Sequence, residues 1–364
     1  MTRLLTVTLL TYIWLTLASK KPGTKYKLSE EYVGEEFLDL FEFEAIADPT
    51  HGRVEYVNSE VAWEEGMIVA EPDSFLLRPD SKTVLSSRGR KSFRLKSRHQ
   101  YGAGTVMMYV CRGIAPLLLE HELFTALTFV ICLKVVGLGL LSGRSGCLGR
   151  RWRGEIDILE GVNDEGPNHI TLHTSHSLYP LQTQGCDMPN DRLQTGQSTK
   201  DTCGIGLFGT DYVGCGVKVG ASNSYGPDFN RNGGGWYAME RTESFIKVWF
   251  WARSSDDTPS GVLESSLWID TNKWGPPTAY FPSNRYCDLN AKFGLHNIVI
   301  NLTFCGDWAG NTYRQSGCPS TCINYVNKNP SAFKKAYFDF HSLRVYNGGH
   351  RVYNGGHRVF KHSR

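Results

Sequence analysis

Charge excess is what this chain most clearly lacks: 39 lysines and arginines stand against 36 aspartates and glutamates, a formal net charge of +3 over 364 residues. The basic residues are dispersed rather than striped, so the chain has no electrostatic footprint for a nucleic acid. Long helical periodicity is also missing, which argues against a bundle or coiled coil. Metal-ligand spacing is absent: Cys318 and Cys322 lie close, but no second pair of matching spacing and no histidine pair follows, so no metal is expected. Glycosylation signals are nearly absent too. Asn301-Leu302-Thr303 is the one sequon found, and it sits inside an apolar strand pattern, so a surface glycan and a buried, unmodified asparagine are equally open.

What remains is a chain rich in glycine and aromatics, with 38 Gly, 18 Phe, 17 Tyr and 9 Trp. Short β-branched or alternating runs recur between Gly, Pro, Asn and Asp, as at Ser92–Leu95, Gly104–Val110, Ile170–Thr174, Phe245–Trp251 and Asn297–Leu302. That spacing predicts an all-β antiparallel sandwich in a single large domain. At the N-terminus, Arg3 precedes an apolar run from Leu4 to Leu17, with small Ala18 and Ser19 before Lys20-Lys21. This reads as a signal peptide over 1–19 and a secreted product, with a signal anchor as the alternative. The 10 cysteines then default to disulfides. Cys186, Cys203 and Cys215 form one cluster and Cys287, Cys305, Cys318 and Cys322 another; the pairing stays open.

The chemistry concentrates in Gly154-Glu155-Ile156-Asp157-Ile158-Leu159-Glu160-Gly161, where three carboxylates alternate with branched apolar residues. Glu155 and Asp157 share a face of a regular strand, whereas Glu160 would point away. One extra residue, a β-bulge, returns Glu160 to the same face. The two glutamates would then sit near the ~5–5.5 Å carboxyl separation of a retaining glycosidase. The charge of Asp157 between them would help keep one glutamate protonated. A solvated acidic edge strand is the competing reading of the motif alone.

The motif has company. GEIDILEGVND (154–164), ITLHTS (170–175), GCDMP (185–189), GCGVKV (214–219), NSYGPDFNRNGGGWYAMERT (223–242), FIKVWFWAR (245–253), WGPPTAYFP (274–282), INLTFCGDWAG (300–310) and AYFDFHSLRVY (336–346) follow one another in order, preceded by DPTHGRVEYV (48–57) and TVLSSRGRKSFRLKS (83–97). In these residues the chain resembles the fungal endo-β-1,3(4)-glucanase, or laminarinase, branch of glycoside hydrolase family 16. The resemblance implies a concanavalin A-like β-jelly-roll of two curved antiparallel sheets over residues 20–346, with a glycan cleft on the concave face. It implies Glu155 as nucleophile, Glu160 as acid/base and Asp157 as the assisting acid. It implies a β-glucan substrate, with no cofactor, nucleic acid or obligate protein partner, and a monomer. Hydrolysis is the expected reaction; a silent glucan-binding protein and a cell-wall transglycosylase are the alternatives.

Sugar faces stack on aromatics while hydroxyls need polar partners. Strand alternation puts Trp236, Ala238 and Glu240 on one face and Tyr237, Met239 and Arg241 on the other, and the resemblance favours Trp236 and Glu240 as cleft-facing. Trp249 and Trp251 share a face. His173, Arg241, Trp251 and Trp308 complete the candidate substrate contacts.

Two regions stand apart. Residues 111–153 are apolar and end in Arg150-Arg151-Trp152-Arg153, where the family carries a strand and loop rich in Trp, Pro and Gly. A transmembrane or membrane-dipping insert, a buried helix in place of the missing strand, and translated non-coding sequence are the readings weighed. The last is favoured, and under it a central strand of the cleft and its tryptophans are missing. At the C-terminus RVYNGGH occurs at 344–350 and again at 351–357, so 347–364 reads as a repeat-bearing tail beyond a last strand ending at Tyr346.

Overall fold

A computed structural model describes residues 25–112, 135–141, 154–174, 186–204 and 213–348. The expected leader, most of the apolar segment and the tail beyond 348 lie outside the described residues.

Among the described residues the chain folds as two antiparallel sheets packed face to face, with a separate parallel pair formed by Val54–Tyr56 and Arg90–Ser92. The front sheet runs, in spatial order, Gln197–Lys200, Cys215–Lys218, His169–His173, Glu155–Gly161, Val135–Leu141, Asn297–Thr303, Arg94–Ser97 and Phe41–Phe43. The back sheet runs Trp268–Asp270, Lys25–Tyr32, Phe338–Asn347, Thr105–Arg112, Gly234–Arg241, Phe245–Ala252 and Ala279–Pro282, with the hairpin Ile68–Glu71 and Ser74–Leu77 beside Phe338–Asn347. Ile156, Ile158, Ile170, Leu172, Ile298 and Ile300 from the front meet Met107, Tyr109, Tyr237, Met239, Val248 and Leu343 from the back in one buried core. Period-two alternation on both sheets supplies this layer, and its burial is the main driving force for closing the sandwich. Helices among the described residues are short; the longest α-helix is the 7-residue Cys322–Lys328. None is long and apolar enough to cross a membrane.

The back sheet has a second apolar layer on its outer side. Trp236, Ala238, Trp249 and Trp251 lie there under Val262, Ile269 and Trp274 from the segment around 260–275. Trp249 and Trp251 stack at 6.4 Å, and both meet Trp274 edge-on, at 5.2 and 5.6 Å.

One expectation is corrected here. The cleft sheet does not lack its central strand: Val135–Leu141, from within the atypical segment, pairs with Glu155–Gly161 on one side and Asn297–Thr303 on the other. A gap there would leave two rows of backbone N–H and C=O groups unpaired, and an extended run of seven residues closes both rows whatever its side chains. Disulfides join Cys186 to Cys287, Cys203 to Cys215 and Cys305 to Cys322, so the first links the two sequence clusters. Asn301 lies in an interior strand and its side chain donates to Tyr56 Oη at 3.2 Å, a contact that a glycan on this nitrogen would displace.

Candidate active site

The acidic strand contains the expected bulge. Glu155 pairs with His173, Ile156 with Leu172 and Asp157 with Thr171, and then Glu160 pairs with His169. Three steps on one strand match two on the other. Because 173, 171 and 169 share a face, Glu155, Asp157 and Glu160 do as well, and they point away from the core. The extra residue falls at Ile158-Leu159, both buried in the core. The resulting rows across the front sheet run Asn301–Gly137–Glu160–His169–Lys218 and Val299–Gly139–Asp157–Thr171–Gly216.

The electrostatics follow from burial first and from the neighbouring acids second. Burial pushes the Glu155 carboxyl up from 4.5 to about 7, against the pull of the Arg94 guanidinium. Glu160 also rises to about 7, through burial first and the charge of Glu155 second, while the hydrogen bond that Thr171 Oγ1 donates at 3.1 Å pulls the other way. Asp157, buried between two acids, is pushed well above the ordinary aspartate range. His173 Nε2 lies 3.4 Å from Asp157 Oδ2, and burial lowers the imidazole to about 4, so it is neutral beside the acid at neutral pH. The cluster cannot hold three charges together; it keeps protons into the neutral range.

Trp308, on the turn Gly306–Gly310 after the Asn297–Thr303 strand, meets His169 edge-on at 6.1 Å. That brings it beside the row of Glu160. His169 escaped the sequence reading, although its place two residues before Thr171 on the paired strand was the available signal.

The other aromatic candidates are corrected. Trp236 and Trp251 belong to the outer layer of the back sheet, on the side remote from the acids. Glu240 is buried there too, accepting from Tyr26 Oη at 2.6 Å and Thr271 Oγ1 at 3.0 Å. The alternation was right; the strand belongs to the other sheet, so its outer face looks away from the cleft. Arg241 does not reach the cleft either. Its side chain lies in the sandwich interior, with Nη1 at 3.0 Å from His296 Nδ1 and Nη2 donating to Phe293 O at 2.6 Å. His296 Nδ1 also lies 2.8 Å from Gly294 O, and its Nε2 is 3.2 Å from Gly154 O, so the ring bridges Arg241 to the backbone of both segments. Arg241 thus supports the backbone that leads into Glu155. Gly154 adopts φ +75°, and a Cβ there would sit 2.6 Å from the Phe293 ring.

The family model for the XgeA-like, catalytic GH16 domain matches residues 41–112 and 148–346. The chain belongs to glycoside hydrolase family 16. The unmatched 113–147 fall within the atypical segment. A probable endo-1,3(4)-β-glucanase of Aspergillus fumigatus is 36% identical over 347 residues, covering 92% of this chain and 47% of that protein. The endo-1,3(4)-β-glucanase xgeA of Emericella nidulans is 33% identical, over 90% and 48%. The chain therefore spans about half the length of these curated relatives. Among solved structures, laminarinase 16A of Phanerochaete chrysosporium, holding β-glucans in donor and acceptor sites, aligns at TM-score 0.77 and 42% identity over 89% of this chain and all of that one. An elongating family 16 β-1,3-glucosyltransferase aligns at 0.73 and 34% identity, over 88% of this chain and all of that one.

Proposed function

We propose that this chain carries the catalytic unit of a secreted, retaining endo-β-glucanase acting on β-1,3 or mixed β-1,3/1,4 glucan. The observation that carries the reading is the bulge that sets Glu155 and Glu160 on one outward face with Asp157 between them. A Glu155 carboxylate oxygen attacks the anomeric carbon as the C1–O bond to the leaving sugar breaks, and the Glu160 proton goes to the departing oxygen. Water then attacks C1 from the other side, gives a proton to Glu160 and releases Glu155. Asp157 and neutral His173 flank the nucleophile, and Trp308 offers a ring face to a bound sugar. Secretion is supported by the leader-like 1–19 and by the disulfides.

Transfer to a sugar in place of water uses the same intermediate, and the likeness to the elongating glucosyltransferase favours it as the second reading. Release of reducing ends from laminarin tests hydrolysis; no release, with intact glucan binding, would leave a silent binding protein. Chain lengthening on added oligosaccharide acceptors would identify the transferase.

A further inference from the structure

The bulge that aligns the two glutamates is held by a side chain with no part in the chemistry above. Asn168 is fully buried behind it. Its Oδ1 accepts from the Glu160 backbone N–H at 2.8 Å, and its Nδ2 donates to Ile158 O at 2.9 Å. These are backbone groups flanking the extra residue, where the ladder to the neighbouring strand is interrupted. One carboxamide therefore replaces both the donor and the acceptor that the partner strand fails to supply. Asn168 is itself fixed: its N–H donates to Ser224 Oγ at 2.9 Å, its carbonyl accepts from Val219 N–H at 2.9 Å, and Ser224 O accepts from the Tyr237 hydroxyl of the back sheet.

We propose that Asn168 is a positioning residue for Glu160, the clamp that sets the acid/base on the face of the nucleophile. The proposal rests on the glucanase reading. Glu155 and Asp157 lie before the bulge and keep their own pairs with His173 and Thr171, so loss of the clamp acts on Glu160 alone.

The test uses the full chain with Asn168→Leu, which removes both bonds, and Asn168→Asp, which keeps the shape and the acceptor but loses the donor to Ile158 O. Laminarin needs its leaving oxygen protonated; 2,4-dinitrophenyl β-laminaribioside does not. On laminarin, kcat should fall by about 100-fold, the scale of a misplaced general acid. On the aryl glycoside both variants should release dinitrophenolate in a burst, then turn over slowly, because Glu160 is still needed to deprotonate water. Azide, which attacks C1 without a base, should restore the steady-state rate and yield the β-glycosyl azide. A merely structural asparagine would lower both substrates in proportion, with no burst and no rescue, and that result overturns the proposal. Wild-type turnover of laminarin by either folded variant does so too. If the unmutated chain leaves both substrates untouched, the glucanase reading itself falls and this role with it, an outcome separate from the other two.

Discussion

Glu160→Gln should make the protein more stable at neutral pH and no more stable in acid. The carboxyl has an ordinary value of 4.5 and is raised to about 7 in the fold. For a raised acid the sign is fixed: below 4.5 folded and unfolded chains are both protonated and nothing is lost. As pH rises toward 7 only the unfolded chain releases its proton, and folding stability falls. The loss is complete above about pH 7 and amounts to about 3 kcal/mol for that gap, as an upper bound because the three acids share protons. Glutamine keeps the acceptor for Thr171 and cannot ionise, so it escapes the loss. In a domain of this size that corresponds to roughly 5 °C in Tm at pH 8, shrinking toward zero at pH 4. Circular dichroism melts of the wild type and variant at pH 4, 6 and 8 measure this directly. A difference that stays constant with pH, or a variant less stable at pH 8, would refute the claim that burial, helped by the charge of Glu155, raises the Glu160 carboxyl. The same substitution should abolish turnover of laminarin, a stability gained at the cost of function.

Glu155→Gln should remove turnover while isothermal titration with laminari-oligosaccharides gives nearly unchanged affinity; equal activity would strip Glu155 of its role. Trp308→Ala should raise KM for laminarin about tenfold with kcat little changed, as expected for a lost stacking face. Trp251→Ala should do the reverse: about 3–5 kcal/mol less stability by chemical denaturation, from a cavity in the outer layer, with KM unchanged in the folded fraction. Opening the Cys186–Cys287 bridge, which closes a loop of 101 residues, by replacing both cysteines with serine should cost about 4 kcal/mol and lower Tm.

Most of the sandwich was legible because alternation and turn residues report strands locally. Asn297–Thr303 and Phe245–Ala252 fall within a residue of the runs read from sequence. The run at Ser92–Leu95 did not survive whole: Phe93 is buried and the segment splits into Arg90–Ser92 and Arg94–Ser97. The bulge was legible for a chemical reason, since three acids have no good alternative to one outward face. Sheet membership was not legible. Trp236 and Glu240 show the same alternation whichever sheet owns their strand, and only the long-range pairing with Thr105–Arg112 places it in the back sheet, where neither face meets the cleft. Asn168 was invisible for another reason: a lone asparagine near Pro167 reads as turn chemistry, and its clamp exists only once the bulge has formed.

The strand at Val135–Leu141 separates what a sheet requires from what a cleft requires. Pairing asks only for extended backbone, so a segment outside the family pattern can complete the front sheet. A glycan asks for side chains, and here Gly139 stands abreast of Asp157 and Gly137 abreast of Glu160. Glycine adds no wall at either position. On that flank the nearest side chains in the same rows belong to Asn301 and Val299, one strand further out; on the other flank His169 stands beside Glu160, with the Trp308 ring edge-on to it at 6.1 Å. Under the glucanase reading, Trp308 is then the aromatic left to stack a sugar beside Glu160, while Asn168 and the pairing with His169–His173 hold the acidic strand from the side opposite Val135–Leu141.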